Sequence, residues 1–173
     1  MGAGKSFNLD ASCEWTNIAT RNTVLNPVNL RTWVIFFTRR DATKASDFVQ
    51  ALKSTSLVMG MQVANPRMYE LKDERTDTYV RSITESINPN VQMVVLICPT
   101  SRDDRYAAIK KLCCRDMPVP SQVINAKTIS MQNKLRSVAQ KISLQMMCKM
   151  GGELWSLQIP LVGGPVGGKL CKR

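Results

Sequence analysis

Five polar side chains have the types and the spacing of a phosphate-binding group: Tyr106, Lys110, Gln122, Gln145 and Lys149. Tyr106 and Lys110 are four residues apart in a segment with helical periodicity, so they share a face, and Gln145 and Lys149 are related in the same way. Gln122 lies between the two pairs, in a short segment predicted to be a strand. One phenol, two amides and two ammonium groups can surround a phosphate with donors, and none of them repels its charge. We call these five residues the socket and predict that they bind a phosphate.

The elements that must position the socket alternate between strands and helices. Two continuous apolar runs, Trp33–Thr38 and Val91–Cys98, are typical of strands that are buried on both faces. Shorter strands are predicted at Met61–Val63, at Pro120–Asn125 and, as an edge strand, at Leu154–Leu161. Helical spacing is found in four segments: Asp41–Ser54, Asp77–Ile87, Asp103–Arg115 and Met131–Lys149. This alternation predicts an α/β layered fold with a mainly parallel sheet of about four strands flanked by helices.

The segment Pro99–Arg105 is a second candidate for ligand contact. It follows the end of the predicted Val91–Cys98 strand, and ligands in such folds lie beyond the carboxyl ends of the strands. Ser101 is predicted to be the N-cap of the next helix, with Asp104 three residues later completing a capping box. We therefore expect this segment to contact a ligand beside the phosphate.

The charge balance points to an anionic partner. The chain carries 24 Lys and Arg against 13 Asp and Glu, a net charge of +11, which favours polyanions and nucleic acid above all. A basic surface that serves only solubility is the simpler alternative. The chain has no histidine, which removes the commonest general base and the Ser/His and Cys/His nucleophile arrangements.

The six cysteines form no C-x-x-C pair, and without histidine they do not offer the ligand spacing of a structural zinc site. Cys98 and Cys148 lie in apolar segments, where buried free thiols are the expectation, so we predict a reduced intracellular protein. No run of 18 apolar residues is present, and no membrane span is predicted.

A length of 173 residues predicts one domain. We expect an extended arm at residues 1–28, the folded domain at residues 29–161 and a flexible tail at residues 162–173. The tail includes the glycine-rich segment Gly163–Lys169, whose composition is typical of a flexible linker.

Several motifs resemble those of the MID domain of Argonaute proteins, and of the Piwi clade in particular. The resemblance covers roughly residues 5–161 and is strongest in the segment Lys141–Trp155. It also rests on four shorter motifs: Thr38–Arg40, Met59–Gln62, Tyr106–Lys111 and Pro120–Gln122. It implies a Rossmann-like fold that anchors the 5′-monophosphorylated end of a guide RNA, here a piRNA, in RNA-guided silencing of transposons and genes.

The resemblance also implies a role for each socket residue. Tyr106 stacks on the first base and donates its hydroxyl to the phosphate, while Lys110, Gln122 and Lys149 bind phosphate oxygens. Many Argonautes outside the Piwi clade have a lysine at the position of Gln145. A Mg²⁺ ion that bridges guide phosphates and contacts Gln145 would replace the missing positive charge. No organic cofactor is expected.

By the same resemblance, the segment Pro99–Arg105 reads the first base. The candidate residues are Thr100, Ser101, Arg102, Asp103 and Arg105.

The resemblance implies a binding module and not an enzyme, because the guide 3′-end domain and the nuclease domain of the family have no counterpart in this chain. The expected partners are the 5′ end of a single-stranded small RNA and the PIWI and PAZ domains of the same parent chain. We expect a monomer without membrane association, located in cytoplasmic germ granules rather than in the nucleus.

Two other classes of function make different demands on the sequence. A Rossmann-type cofactor domain needs a glycine-rich cradle after the first strand, whereas Thr38–Ala42 contains no glycine. A protein-interaction domain with an incidental basic surface would bind a partner protein but no nucleotide.

Overall fold

The structure, a computed structural model, describes residues 6–8 and 21–157. Within this part, strands and helices alternate along the chain. The strands are β1 (Trp33–Thr38), β2 (Arg67–Leu71), β3 (Met93–Cys98) and β4 (Ser121–Asn125), and the helices are α1 (Ala42–Val58), α2 (Thr76–Ser86), α3 (Asp103–Lys111) and α4 (Gln132–Lys149). Most of the predicted arm and all of the predicted tail lie outside the described residues.

The four strands form one parallel sheet in the order β2-β1-β3-β4. This arrangement confirms the predicted α/β fold with a parallel sheet of four strands. The strand order reverses direction between β1 and β3, and β4 is one edge of the sheet. The register aligns Arg67, Val34, Val94 and Ser121 in one row across the amino-terminal half of the sheet.

Helices cover both faces of the sheet. Every residue of β1 and β3 is buried, as the two apolar runs predicted, and alternate side chains of each strand enter opposite cores. One core contains Phe48 of α1 and Ile142 of α4, and the other contains Ile83 of α2 and Ile109 of α3. Because α3 and α4 flank the sheet on opposite sides, their side chains can meet only around its edge, at β4.

The second strand differs from the sequence prediction. Met61–Val63 forms no strand, and Val63 makes only an isolated bridge to Leu30. The strand is Arg67–Leu71, which pairs only with β1 and exposes most of its residues, so its sequence lacks the apolar run of a central strand. The predicted edge strand Leu154–Leu161 is also absent at residues 154–157, and its remainder lies outside the described residues.

The start of α3 also corrects a prediction. The N-cap is Arg102 and not Ser101, and the Arg102 guanidinium pairs with the Asp104 carboxylate through Nε at 3.0 Å and Nη2 at 2.8 Å. At its other end, α3 continues into a π-helical turn at Leu112–Asp116. This turn ends the helix where the chain must reverse to enter β4.

Candidate phosphate-binding site

The two lysines of the socket approach each other around the free edge of β4. Lys110, on α3, and Lys149, on α4, both donate a hydrogen bond to the backbone carbonyl oxygen of Ser121, with N–O distances of 3.1 Å and 2.9 Å. Since both ammonium groups contact one oxygen atom, their nitrogens lie no more than about 6 Å apart. Helices from opposite faces of the sheet thus deliver two positive charges to one point.

The first residues of β4 hold the lysines in place. Lys110 also donates to Ser121 Oγ at 2.8 Å, and Lys149 donates to Gln122 Oε1 at 2.7 Å. With its oxygen engaged by Lys149, Gln122 presents its amide N–H groups, which reach Gln145 Oε1 and the Val123 carbonyl at 3.3 Å each. The structure therefore brings Lys110, Gln122, Gln145 and Lys149 together, as the sequence predicted.

Tyr106 lies one turn before Lys110 on α3. Its side chain is 51% exposed, and the Lys110 ammonium lies 5.7 Å from the centre of its ring. An exposed aromatic ring beside a cation offers a stacking surface to a planar group whose phosphate contacts the lysines. The fifth socket residue is thus adjacent to Lys110.

The socket has an excess of positive charge. Neither Lys110 nor Lys149 forms an ion pair with a carboxylate of the described residues. Burial, and secondly the positive charge of Lys110, hold the pKa of Lys149 below its usual range. An anion bound between the two ammonium groups would relieve this repulsion, which gives the site its chemical preference.

The predicted base-reading segment lines a cavity of about 220 Å³ beside Tyr106. The lining residues include all five candidates, Thr100, Ser101, Arg102, Asp103 and Arg105, together with Tyr106 and Asn125. Four of the five are exposed on the segment. The segment is therefore close enough to the socket to contact the same ligand.

Arg105 differs from the other four because its side chain is only 1% exposed. Its guanidinium donates to the carbonyl oxygens of Thr100 at 3.2 Å and Glu74 at 2.9 Å, and it lies 5.3 Å from the centre of the Tyr79 ring. Its Nε–H has no partner within the described residues. Burial raises the pKa of both neighbouring acids, Tyr79 and Cys98, so these groups stay protonated around the cation. Arg105 thus holds the segment in place, while its Nε–H stays without a partner in the described part of the chain.

The two lysines of the socket and the predicted base-reading segment lie at different ends of the sheet. The segment follows the carboxyl end of β3, where the fold rule places ligands, whereas the lysines converge on Ser121 at the amino end of β4. Helix α3, nine residues and about 13 Å long, connects the two ends. A ligand that used both would lie along the outer edge of the sheet.

The turn after β1 shows why this sheet does not present a dinucleotide cradle. Asp41 is fully buried there, and its carboxylate accepts hydrogen bonds from Thr38 Oγ1 at 3.1 Å and Lys44 Nζ at 2.7 Å. A buried carboxylate at this position opposes a pyrophosphate, which argues against the cofactor-domain alternative.

The cysteine predictions are half confirmed. Cys98 is a buried free thiol, but Cys148 is exposed, because the buried face of α4 at this point is formed by Met146 and Met147. No group of three or more His, Cys, Asp or Glu residues in the described part of the chain could hold a metal ion. Nor does any helix of residues 21–157 have the length and the hydropathy to span a membrane.

Comparison with known proteins agrees with this architecture. The family model described as Piwi domain matches residues 93–164. Over 86% of its length the chain is 50% identical to the Piwi-like protein Ago3 of Bombyx mori, and over 90% it is 45% identical to the protein argonaute-3 of Drosophila melanogaster. The chain belongs to the Piwi clade of Argonaute proteins.

Solved structures share this fold, and one of them is an Argonaute MID domain. The crystal structure of Drosophila Piwi matches with a TM-score of 0.81 and 27% identity, over 87% of this chain and 21% of that one. The Arabidopsis thaliana AGO5 MID domain matches in fold, with a TM-score of 0.59 over 76% of this chain and 96% of that domain. The chain spans 16% and 18% of the length of the two argonaute-3 relatives.

Sequence reasoning missed Ser121. Its backbone carbonyl oxygen is the point on which both lysines converge, and no side-chain pattern announces that role. The available signal was its position directly before Gln122, at the start of a predicted strand.

Proposed function

We propose that this chain binds the 5′-monophosphorylated end and the first nucleotide of a small guide RNA, a piRNA, as the anchoring module of a larger Piwi protein in RNA-guided silencing. The observation that carries the proposal is the convergence of Lys110 and Lys149 on Ser121 without a carboxylate partner in the described residues. On this proposal the chain binds RNA and catalyses no reaction.

Donor counting supports phosphate as the ligand. An ammonium group has three N–H donors, and each lysine uses two of them on oxygens of Ser121 or Gln122. Each lysine therefore keeps one donor for a phosphate oxygen, already oriented by its other two bonds. The two hydrogen bonds that the Gln122 side-chain amide donates are long, at 3.3 Å each. They are therefore easily exchanged for stronger hydrogen bonds to a charged oxygen.

The first base would stack on Tyr106 and reach toward the segment Pro99–Arg105. Stacking on an aromatic ring contributes roughly 1–3 kcal/mol per base and does not depend on base identity. Selectivity between bases would then come from the polar groups that line the cavity. The proposal assigns this role to the exposed side chains at residues 100–103.

The socket alone is a poor magnesium site. It offers the neutral oxygen Gln145 Oε1 and no carboxylate, whereas Mg²⁺ prefers carboxylate and phosphate oxygens, and two ammonium groups lie nearby. A magnesium ion would fit only together with bound phosphates, with Gln145 as its protein contact. It would then supply the positive charge that neutralises neighbouring guide phosphates.

Gln145→Lys tests this role of magnesium. A fixed ammonium at this position would replace the ion, so we expect the affinity of the variant for a 5′-phosphorylated dinucleotide to be independent of magnesium. The wild-type affinity should fall when a chelator is added. Equal chelator sensitivity in both proteins would show that Gln145 does not contact a magnesium ion.

Lys110→Ala tests the phosphate assignment itself. Loss of one charge-assisted hydrogen bond costs roughly 1.5–3 kcal/mol, so affinity for a 5′-phosphorylated nucleotide should fall at least tenfold. The unphosphorylated nucleoside should be affected little. Lys111→Ala, one residue away on the exposed side of α3, is the matched control. Equal weakening of both ligands by Lys110→Ala would exclude the phosphate contact.

Three accompanying expectations stay predictions. These are a monomeric chain, contacts with the PIWI and PAZ domains of the parent chain, and a location in cytoplasmic germ granules.

A further inference from the structure

A second polar cavity lies at the amino ends of the central strands, separate from the socket. It has a volume of about 360 Å³, and its polar lining includes Arg31 and Thr32 before β1, Asn65 before β2, Arg67 at the start of β2, and Asn88 and Asn90 before β3. No carboxylate lines it, and neither arginine is ion-paired within the described part of the chain.

The polar side chains of this cavity present donors. Asn65 Oδ1 accepts a hydrogen bond from Lys53 Nζ at 2.8 Å, and Asn88 Oδ1 accepts one from the Asn90 backbone N–H at 3.0 Å. Because both amide oxygens are engaged, the NH₂ groups of these two asparagines remain as donors. Two guanidinium groups and two amide NH₂ groups together suit a ligand that has several anionic oxygens.

The walls of the cavity are fixed by the sheet. Gln92 Oε1 accepts the backbone N–H groups of Arg31 and Thr32 at 2.7 Å and 3.0 Å, which ties the segment before β1 to β3. The Trp33 indole N–H donates to the Ala64 carbonyl at 2.9 Å and so ties it to the segment before β2. A pre-organised wall lowers the ordering cost of binding an ion.

We propose that this cavity is a second phosphate site, at which Arg31 and Arg67 bind a phosphate group of a nucleic-acid strand. The register supports a shared ligand, because Arg67 and Ser121 lie in the same row of the sheet. That row spans three strand spacings, or about 14 Å, which a few nucleotides of single strand can cover. The phosphate would come from the strand held by the socket or from a separate strand, and the chemistry of the site is the same for both.

The test compares Arg31→Gln/Arg67→Gln with Arg81→Gln/Arg136→Gln. Both double variants lose two positive charges, and Arg81 and Arg136 are exposed helical residues outside the cavity. One arm measures the affinity for a 5′-phosphorylated hexanucleotide and, separately, the affinity for uridine 5′-monophosphate. The other arm measures the affinity for a 5′-hydroxyl hexanucleotide while saturating uridine 5′-monophosphate occupies the socket. Thermal unfolding of each protein confirms that the variants are folded.

We expect the cavity variant to lose about tenfold in hexanucleotide affinity in one arm, the equivalent of one charge-assisted contact, and its salt slope to fall by about 0.7. Loss in the first arm assigns the phosphate to the anchored strand, and loss in the second assigns it to a separate strand. Affinity for uridine 5′-monophosphate should be unchanged, because the socket is intact. Equal losses in the control variant, or no loss in either arm, would overturn the proposal.

A direct measurement uses the Trp33 indole. Its N–H signal in a ¹⁵N NMR spectrum, assigned through Trp33→Phe, should shift in a saturable way when inorganic phosphate is added at constant ionic strength. The shift should disappear in the cavity variant. A signal that does not move in the wild-type chain would contradict the proposal, even if the socket binds no nucleotide at all.

Discussion

Two groups of cations border this sheet, and they differ in how their charge is balanced. Arg105, at the carboxyl end of β3, is buried and donates hydrogen bonds to two carbonyl oxygens, with the Glu74 carboxylate 4.0 Å away. Lys110 and Lys149, at the amino end of β4, are more exposed, and within the described residues all their hydrogen bonds go to neutral oxygens. A cation that has internal partners stabilises the fold, whereas cations gathered around neutral oxygens retain the capacity to bind an anion.

The largest expected effect is a loss of stability when Arg105, the cation with internal partners, is replaced. Arg105→Met removes a buried guanidinium and leaves two part-buried carbonyl oxygens, those of Glu74 and Thr100, without their donor, so the free energy of unfolding should fall by about 2–4 kcal/mol in chemical denaturation. Arg102→Met is the control, because Arg102 is exposed and Asp104 is its only ion-pair partner among the described residues, and its midpoint should not move. Similar denaturation midpoints for both variants would show that Arg105 does not stabilise the fold through its internal partners.

The next effect concerns the stacking surface beside the unbalanced cations. Tyr106→Ala should reduce nucleotide affinity by roughly 1–3 kcal/mol, since it removes the aromatic ring. Tyr106→Phe retains the ring and removes the hydroxyl, so isothermal titration of the two variants separates stacking from hydrogen bonding to the phosphate. An exposed tyrosine contributes little to the core, and neither change should lower stability appreciably. If Ala and Phe bound equally well, the ring would not be a base platform.

The smallest effect is a pH dependence with opposite signs in binding and in stability. The pKa of Lys149 is lowered in the fold, chiefly by burial, whereas the unfolded chain keeps this proton up to the ordinary value of 10.5. Between the two values the unfolded state binds more protons, so stability rises with pH. Affinity for a nucleotide monophosphate falls over the same range, because the ammonium loses its charge.

Lys149→Met isolates this group from the other titrating side chains. Subtracting the pH profile of the variant from that of the wild type should leave a rising stability curve and a falling affinity curve. At neutral pH the substitution should change the free energy of unfolding by less than about 1 kcal/mol, as expected for an exposed cation. If the difference curves for stability and for affinity sloped in the same direction with pH, Lys149 would not be the group that links stability to binding.

The sequence predicted the parallel sheet and the grouping of the socket residues. It did not predict the second strand or the burial of Arg105 in the segment Pro99–Arg105. Two buried apolar runs and the periodicity of α4 were sufficient for the parallel sheet, because burial on both faces leaves a continuous signal. Strand β2 was missed because an edge strand with one pairing partner needs no apolar run. The local pattern predicted the two central strands and the edge strand β4, but not the exposed edge strand β2.

The site shows the same limit. Spacing along α3 and α4 placed the lysines on the correct faces, but the convergence on Ser121 depends on the strand order, which is a long-range property. Sequence also grouped Arg105 with the exposed residues of its segment. Its burial against Tyr79 follows from helix packing over the sheet, and no single-residue pattern contains that information.

The most direct test of the account is a titration of this chain with uridine 5′-monophosphate and with uridine, in magnesium, by isothermal calorimetry. We expect saturable binding of the monophosphate and at least tenfold weaker binding of the nucleoside, because two ammonium groups of the socket each keep a donor for phosphate. The other three nucleoside 5′-monophosphates would then show which base the segment Pro99–Arg105 prefers. Equal affinities for the monophosphate and the nucleoside would contradict the central claim.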